Sequence, residues 1–172
     1  MALALSLLFD NGTSAEVEGM WRELGDAGIS SDMLALNYPP HLTLIVTEDE
    51  QLARVLEPAL AGLARRAPRE FILGDINAFP QTDVVYVSLD GDLAPLLDLL
   101  QAACDLLPAE AVRPYYRPGA WTPHVTLQSV GDASVGLALT RAHWSSHRLA
   151  MTTRLELATF LPVRVGKGIA LA

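Results

Sequence analysis

Residues 2–9 are apolar at every position except Ser6, and Asp10-Asn11-Gly12 ends the run. A short apolar stretch closed by turn residues predicts a buried strand. Val17, Met20, Trp21 and Leu24 then recur at helical spacing, with Thr13 or Ser14 placed as N-cap and Gly25 and Gly28 as stop signals. A loop through Pro39-Pro40 leads to a strand over 41–46. A second helix over 49–66 follows, bent or split by Pro58, and then a strand over 70–79 closed by Pro80. The order then starts again. Residues 83–89 alternate as a strand, and Asp90-Gly91 turns the chain. Residues 93–107 form an apolar helix with Leu96, Leu97, Leu100, Cys104 and Leu107 on its stripe. After a long loop over 108–123, a strand starts at His124, a short helix covers 132–143 and a strand covers 149–160. Pro162 closes that unit. Gly166-Lys167-Gly168 reads as a turn, too short for a phosphate loop, before a final edge strand.

Each half therefore reads strand, helix, strand, helix, strand. Landmarks recur at nearly one offset: Asp10 with Asp90, His41 with His124, Thr43 with Thr126, and Phe79-Pro80 with Leu161-Pro162. An internal duplication of about eighty residues accounts for them. The expectation is an α+β fold, one domain over 1–172 made of two pseudo-symmetric lobes, approximately 1–82 and 83–172. No low-complexity linker separates the halves, so they share a sheet or pack face to face.

The sharpest repeat is a seven-residue window. Its copies are Tyr38-Pro39-Pro40-His41-Leu42-Thr43-Leu44 and Trp121-Thr122-Pro123-His124-Val125-Thr126-Leu127. Side chains alternate along a strand, so His and Thr two apart share a face while Leu42, Leu44, Val125 and Leu127 point to the core. Two such windows across a groove present two imidazoles and two hydroxyls. That set suits phosphoester chemistry. One neutral imidazole takes a proton from the attacking oxygen, and one protonated imidazole gives a proton to the leaving oxygen. Thr43 and Thr126 hydroxyls can hold the non-bridging oxygens. A lone His-x-Thr on a strand is ordinary, because Thr is a good strand residue. Its repetition, with two polar residues on one face, is not. Two histidines without companion carboxylates or thiolates are too few for a usual zinc site, so no metal and no cofactor is expected.

Composition narrows the partners. The chain has 172 residues, 51% of them apolar, and its 12 Lys+Arg against 20 Asp+Glu leave a formal charge of −8. The apolar share supports a real core and excludes a disordered chain. The acidic balance excludes a protein that coats long nucleic acid, which needs a basic face. The one cysteine, Cys104, leaves no internal disulfide and reads as a buried core thiol. No apolar run approaches the ~20 residues of a membrane span. A reducing, cytoplasmic setting and a monomer without membrane partners are expected. Arg113-Pro114-Tyr115-Tyr116-Arg117 is the richest basic and aromatic cluster. Its Arg113 and Arg117 can clamp a phosphate, and Tyr115 and Tyr116 can stack a base; the bland reading is a solvated rim loop. Tyr38 and Trp121 are further stacking candidates, weighed against a core role. Arg164 and Lys167 can add positive charge, and His143 and His147 read as partners of a helix end.

With its two windows, Trp-Thr-Pro-His-Val-Thr-Leu above all, the chain resembles the 2H phosphoesterase superfamily, named for two His-x-Thr motifs. That group includes the 2′-5′ RNA ligases and RNA 2′,3′-cyclic phosphodiesterases. The resemblance implies a bilobal fold, with two antiparallel sheets around a central cleft and helices outside. It also implies metal-independent opening of a 2′,3′-cyclic phosphate on an RNA end or a small nucleotide, usually to a 2′-phosphate. His124 would then activate water and His41 protonate the leaving oxygen, with the roles exchanged when the reaction reverses. The RNA-ligase branch often continues its first motif with an aromatic-Leu-Gly segment, where this chain has Ile45-Val46-Thr47-Glu48. The rival readings are a nucleotide- or RNA-end-binding module without turnover, and a ligase or exonuclease of the same superfamily.

Overall fold

A computed structural model describes residues 2–160 and 162–171. Seven strands carry the fold: β1 (Ala2–Phe9), β2 (His41–Thr47), β3 (Glu70–Ala78), β4 (Val85–Asp90), β5 (His124–Gln128), β6 (Arg148–Phe160) and β7 (Arg164–Ala170). The helices are α1 (Asn11–Asp26), α2 (Asp32–Ala35), α3 (Ala53–Ala64), α4 (Ala94–Cys104) and α5 (Ala133–His143). All strand pairings are antiparallel, in the order β1-β2-β5-β4-β3-β6-β7, and β1 also pairs with β6. The sheet thus closes on itself through six strands, with β7 added to β6. Where two separate sheets were expected, hydrogen bonding joins one ring. It does so at Leu42↔Val125 and along β6, whose first residues pair with β3 and whose remainder pairs with β1 and β7.

The third strand of each half lies in the other half's sheet. β3 pairs with β4, and β6 pairs with β1. Neither half of the sequence closes its own sheet.

One face of the ring is covered by helices. Val17, Met20, Trp21 and Leu24 of α1, Leu56, Leu60 and Leu63 of α3, and Leu96, Leu99 and Leu100 of α4 join Leu5, Leu7, Leu42, Leu44, Val85, Val87, Val125 and Leu127 in one buried cluster. The α4 stripe is turned from the expected one: Leu99 and Ala103 are buried, and Leu97 is 45% exposed. Asp10, one turn earlier than expected, caps α1 by accepting from Thr13 N at 2.8 Å. Its short carboxylate reaches the free N–H groups of the first turn, and hydrogen bonding from Thr13, the side chain first and the backbone N–H second, holds the carboxyl below its ordinary value. Gly28, at φ +68°, follows the end of α1 in the left-handed conformation that glycine adopts without strain. Pro58 neither bends out nor splits α3, because it lies on the exposed side, where water can take the carbonyl it leaves unpaired. Gly166-Lys167-Gly168 is strand, not turn. It lies inside β7, and the chain reverses at 162–163 instead. Leu161 of the Phe79-Pro80/Leu161-Pro162 landmark lies outside the described residues. No helix among the described residues is long and apolar enough to cross a membrane.

Candidate active site

Each motif strand begins at its histidine, directly after Pro40 or Pro123. Proline suits that entry, since its missing N–H removes no ladder bond. Leu42 and Val125, both fully buried, face each other across β2 and β5. In an antiparallel pair, the residues flanking that contact are His41 opposite Thr126 and Thr43 opposite His124. Strand spacings of about 5 Å across and about 6.7 Å along put the four at the corners of a small rectangle, with the histidines about 8 Å apart on its diagonal. Leu42↔Val125 is the only register pair between these strands among the described residues, so the strands splay on either side of it and the corners open.

The two imidazoles are held alike. His41 Nδ1 lies 2.8 Å from the Pro39 carbonyl and His124 Nδ1 lies 2.7 Å from the Thr122 carbonyl. A carbonyl only accepts, so Nδ1 carries the proton in both rings and each Nε2 is the proton-accepting nitrogen of the neutral ring. The Thr43 and Thr126 hydroxyls belong to half-buried residues and bond to no protein group among the described residues. Burial pushes the His41 imidazole down to about 4; the Pro39 bond opposes this and the neighbouring His124 adds to it. Burial likewise lowers His124, against the Thr122 bond. Two rings that disfavour each other's charge hold one proton between them more readily than two.

Aromatic rings frame each histidine. Tyr38 meets the His41 ring edge-on at 4.9 Å, and Phe160 lies 6.0 Å away. Phe79 and Tyr86, stacked at 4.3 Å, lie 5.0 and 5.4 Å from His124. Phe79 directly follows β3 and Phe160 ends β6, so the strand exchange makes each half supply a ring to the other half's histidine.

The remaining candidates sit elsewhere than expected. Tyr38 is 4% exposed, and its hydroxyl donates to Glu156 Oε1 at 2.9 Å. Trp121 is 7% exposed, and its Nε1 donates to the Thr43 carbonyl at 3.1 Å. The aromatic before each motif thus packs behind the site, and neither presents a face for stacking a base. Trp21 makes the corresponding bond to the Thr126 carbonyl, also at 3.1 Å, so an indole steadies the backbone of each motif threonine. Trp121→Phe keeps the packing and leaves that carbonyl unpaired in the core. Urea unfolding should show a loss of about 1–2 kcal/mol.

Arg113 is drawn away from the imidazoles. Its N–H donates to the Val46 carbonyl, and its guanidinium pairs with Glu48. That places it beside the far end of β2, five residues from His41, or about 17 Å. Arg117 spends its Nε on the Val112 carbonyl at 2.9 Å. Tyr116 is half-buried, and Tyr115, 69% exposed, stands out to solvent. His143 pairs with Glu23 at 2.9 Å and His147 lies 3.8 Å from Asp90. Cys104 is half-buried, with its thiol pushed up by burial. Arg164 and Lys167 are exposed on β7.

Sequence reasoning missed Phe79, Tyr86, Phe160, Trp21 and the Arg154–Glu156 pair. Arg154 and Glu156 alternate with apolar residues in β6, and two charges on one face of such a strand were the signal available. Phe79 was read only as a boundary mark. No group of three or more His, Cys, Asp or Glu able to hold a metal ion occurs among the described residues.

A family model described as the 2′-5′ RNA ligase superfamily matches residues 13–160. No curated protein matches the chain in sequence. Among solved structures, the chain is similar to E. coli LigT complexed with 3′-AMP, at 18% identity over 99% of this chain and 97% of that one, with a TM-score of 0.58. It is similar to TT0787 of Thermus thermophilus, at 17% identity over 99% and 98%, with a TM-score of 0.61. E. coli LigT complexed with ATP matches at 18% identity over 99% and 96%, with a TM-score of 0.53. At these identities the likeness is one of fold.

Proposed function

The chain belongs to the 2′-5′ RNA ligase superfamily, the 2H phosphoesterases, and from its site we propose that it opens the 2′,3′-cyclic phosphate of an RNA end or small nucleotide by two-histidine acid–base catalysis. The observation that carries this reading is the matched pair of imidazoles. Each is fixed through Nδ1–H by a backbone carbonyl, and each has an unpartnered threonine hydroxyl beside it. The helix-free face of the ring serves as the cleft.

The reaction is an in-line displacement. His124 Nε2 takes a proton from water as the water oxygen bonds to phosphorus. The bond from phosphorus to the ribose 3′-oxygen breaks, and protonated His41 gives that oxygen its Nε2 proton. The product is a 2′-phosphate with a free 3′-hydroxyl. His124 ends protonated and His41 neutral, and exchange with solvent restores the pair. Thr43 and Thr126 donate to the non-bridging oxygens, where negative charge builds in the transition state. The aromatic rings around each imidazole lower the local polarity and strengthen these interactions. LigT, named in complexes with 3′-AMP and ATP, lends support to a nucleotide as the substrate class.

The purified protein should open a nucleoside 2′,3′-cyclic phosphate in EDTA, with the phosphate position read by ³¹P NMR. Tight binding with no product after long incubation would make it a binding module instead. Thr43→Val and Thr126→Val should each lower kcat about tenfold, with KM little changed, because the lost hydroxyl bond strengthens in the transition state. An unchanged kcat in both would remove the threonines from the chemistry.

A further inference from the structure

The pseudo-symmetry of the site breaks in charge. On the His41 side, Thr43, Ser6 and Glu156 stand in register across β2, β1 and β6, and His41, Leu8 and Arg154 form the next row. On the His124 side the matching rows are Thr126, Tyr86 and Asn77, then His124 and Ser88, with Asp75 in the bulge of β3. Directly opposed residues of an antiparallel pair share a face. Arg154 therefore lies on the histidine face, two strand spacings or about 10 Å from His41 along the backbone. The corresponding place on the other side holds a carboxylate.

The Arg154 guanidinium is set in place. Its Nε donates to Glu156 Oε2 at 2.8 Å. Glu156 is 4% exposed, and its other oxygen accepts from Tyr38, the residue whose ring packs on His41. The guanidinium lies over Gly168 of β7, where a Cβ would come within 2.6 Å of Cζ. Its Nη groups bond to nothing among the described residues, and 43% of the side chain is exposed. A carboxylate buried behind a half-open arginine is a costly way to stabilise a fold, since apolar residues of that volume serve as well or better. It is an effective way to hold a planar fork ready for a second anion.

We propose that Arg154 binds the 5′-phosphoryl group of the nucleotide whose 2′,3′-cyclic phosphate lies between His41 and His124. A ribose separates those two phosphates, and a ribose fits between His41 and Arg154 along their shared row. This assignment rests on the cyclic phosphodiesterase reading above. It gives the substrate a direction: the 5′ side runs over β6 and β7, away from Asp75. A 5′-phosphoryl group occurs both on a 5′-phosphorylated nucleotide and within an RNA 3′ end, where it is the last diester.

The test compares three substrates carrying the same cyclic phosphate: a nucleoside, its 5′-phosphorylated form, and a dinucleotide. The wild type should favour the two phosphorylated substrates over the nucleoside by about tenfold in kcat/KM. R154Q should bring that ratio close to one, and R154K should keep part of it. G168A is the second variant. It retains every charge and leaves Glu156 its Tyr38 bond, but its Cβ crowds the guanidinium from Nε outward, so it too should collapse the ratio. A dinucleotide handled better than the 5′-phosphorylated nucleoside points to RNA ends, and equal handling points to the phosphoryl group alone. A wild type without the preference, or a ratio unmoved in both R154Q and G168A, overturns the assignment. If none of the three is turned over, the proposed activity fails instead, and calorimetric binding of the same compounds to wild type and R154Q decides the role of Arg154.

Discussion

Replacing His124 with alanine should lower kcat on a nucleoside 2′,3′-cyclic phosphate by about 10³-fold, and replacing His41 should do the same. Water is a poor nucleophile and a ribose oxygen a poor leaving group near neutrality, so the reaction needs a proton removed from one side and added on the other. Positioned acid–base groups contribute about 10² to 10⁴ each. The Pro39 and Thr122 carbonyls occupy Nδ1 and leave each imidazole Nε2 for the task the proposed mechanism gives it. The two tasks belong to one transition state. The double variant should therefore lose little more than either single one, by the non-additivity expected of groups acting as a unit. His→Asn controls, which keep polarity and approximate volume, should fall equally far. Near-normal kcat in either single variant, with folding confirmed by circular dichroism, would contradict the mechanism.

The second large effect is on pH. Burial lowers both imidazoles, His41 to about 4. In the proposed mechanism the free enzyme is active only with one ring neutral and one protonated, so both limbs of kcat/KM should lie below the ordinary imidazole value of about 6.5. Between pH 7 and 8 the active form should decline about tenfold. A bound phosphate anion stabilises the protonated ring, so the kcat profile should shift to higher pH than that of kcat/KM. The same shift makes stability run the opposite way with pH. From pH 6.5 down to about 4 the unfolded chain binds a proton at residue 41 that the folded chain refuses, so folding weakens as pH falls through that window. Above it the contribution is at its full value. His41→Gln should remove part of that slope in a melting experiment. A kcat/KM bell centred at pH 7 or above would contradict the burial of these rings.

The two His-x-Thr windows were legible because local periodicity decides which way a strand residue points. Leu42, Leu44, Val125 and Leu127 are buried, and the polar pairs face away. The α1 stripe followed from the same logic. The closed ring and the exchange of β3 and β6 were not legible, because strand pairing joins segments as far apart as Ala2 and Phe160 and leaves no local mark. The Arg113–Arg117 cluster misled for a related reason. Composition shows that charge is present but not whether a neighbour such as Glu48 has claimed it. The cation that the structure sets on the histidine face, Arg154, stood alone in an apolar strand. Its partner Glu156 is tied in turn to Tyr38, 118 positions away.

The exchanged third strands also govern how the chain is made. β1 and its long partner β6 are synthesised some 150 residues apart, about 8 to 30 s at ordinary translation rates. Until β6 emerges, one edge of β1 stands open and so does one edge of β3. Folding is therefore a late event, dominated by contacts distant in sequence and slow for that reason. A nascent chain stalled halfway holds a complete His-x-Thr motif but no finished sheet.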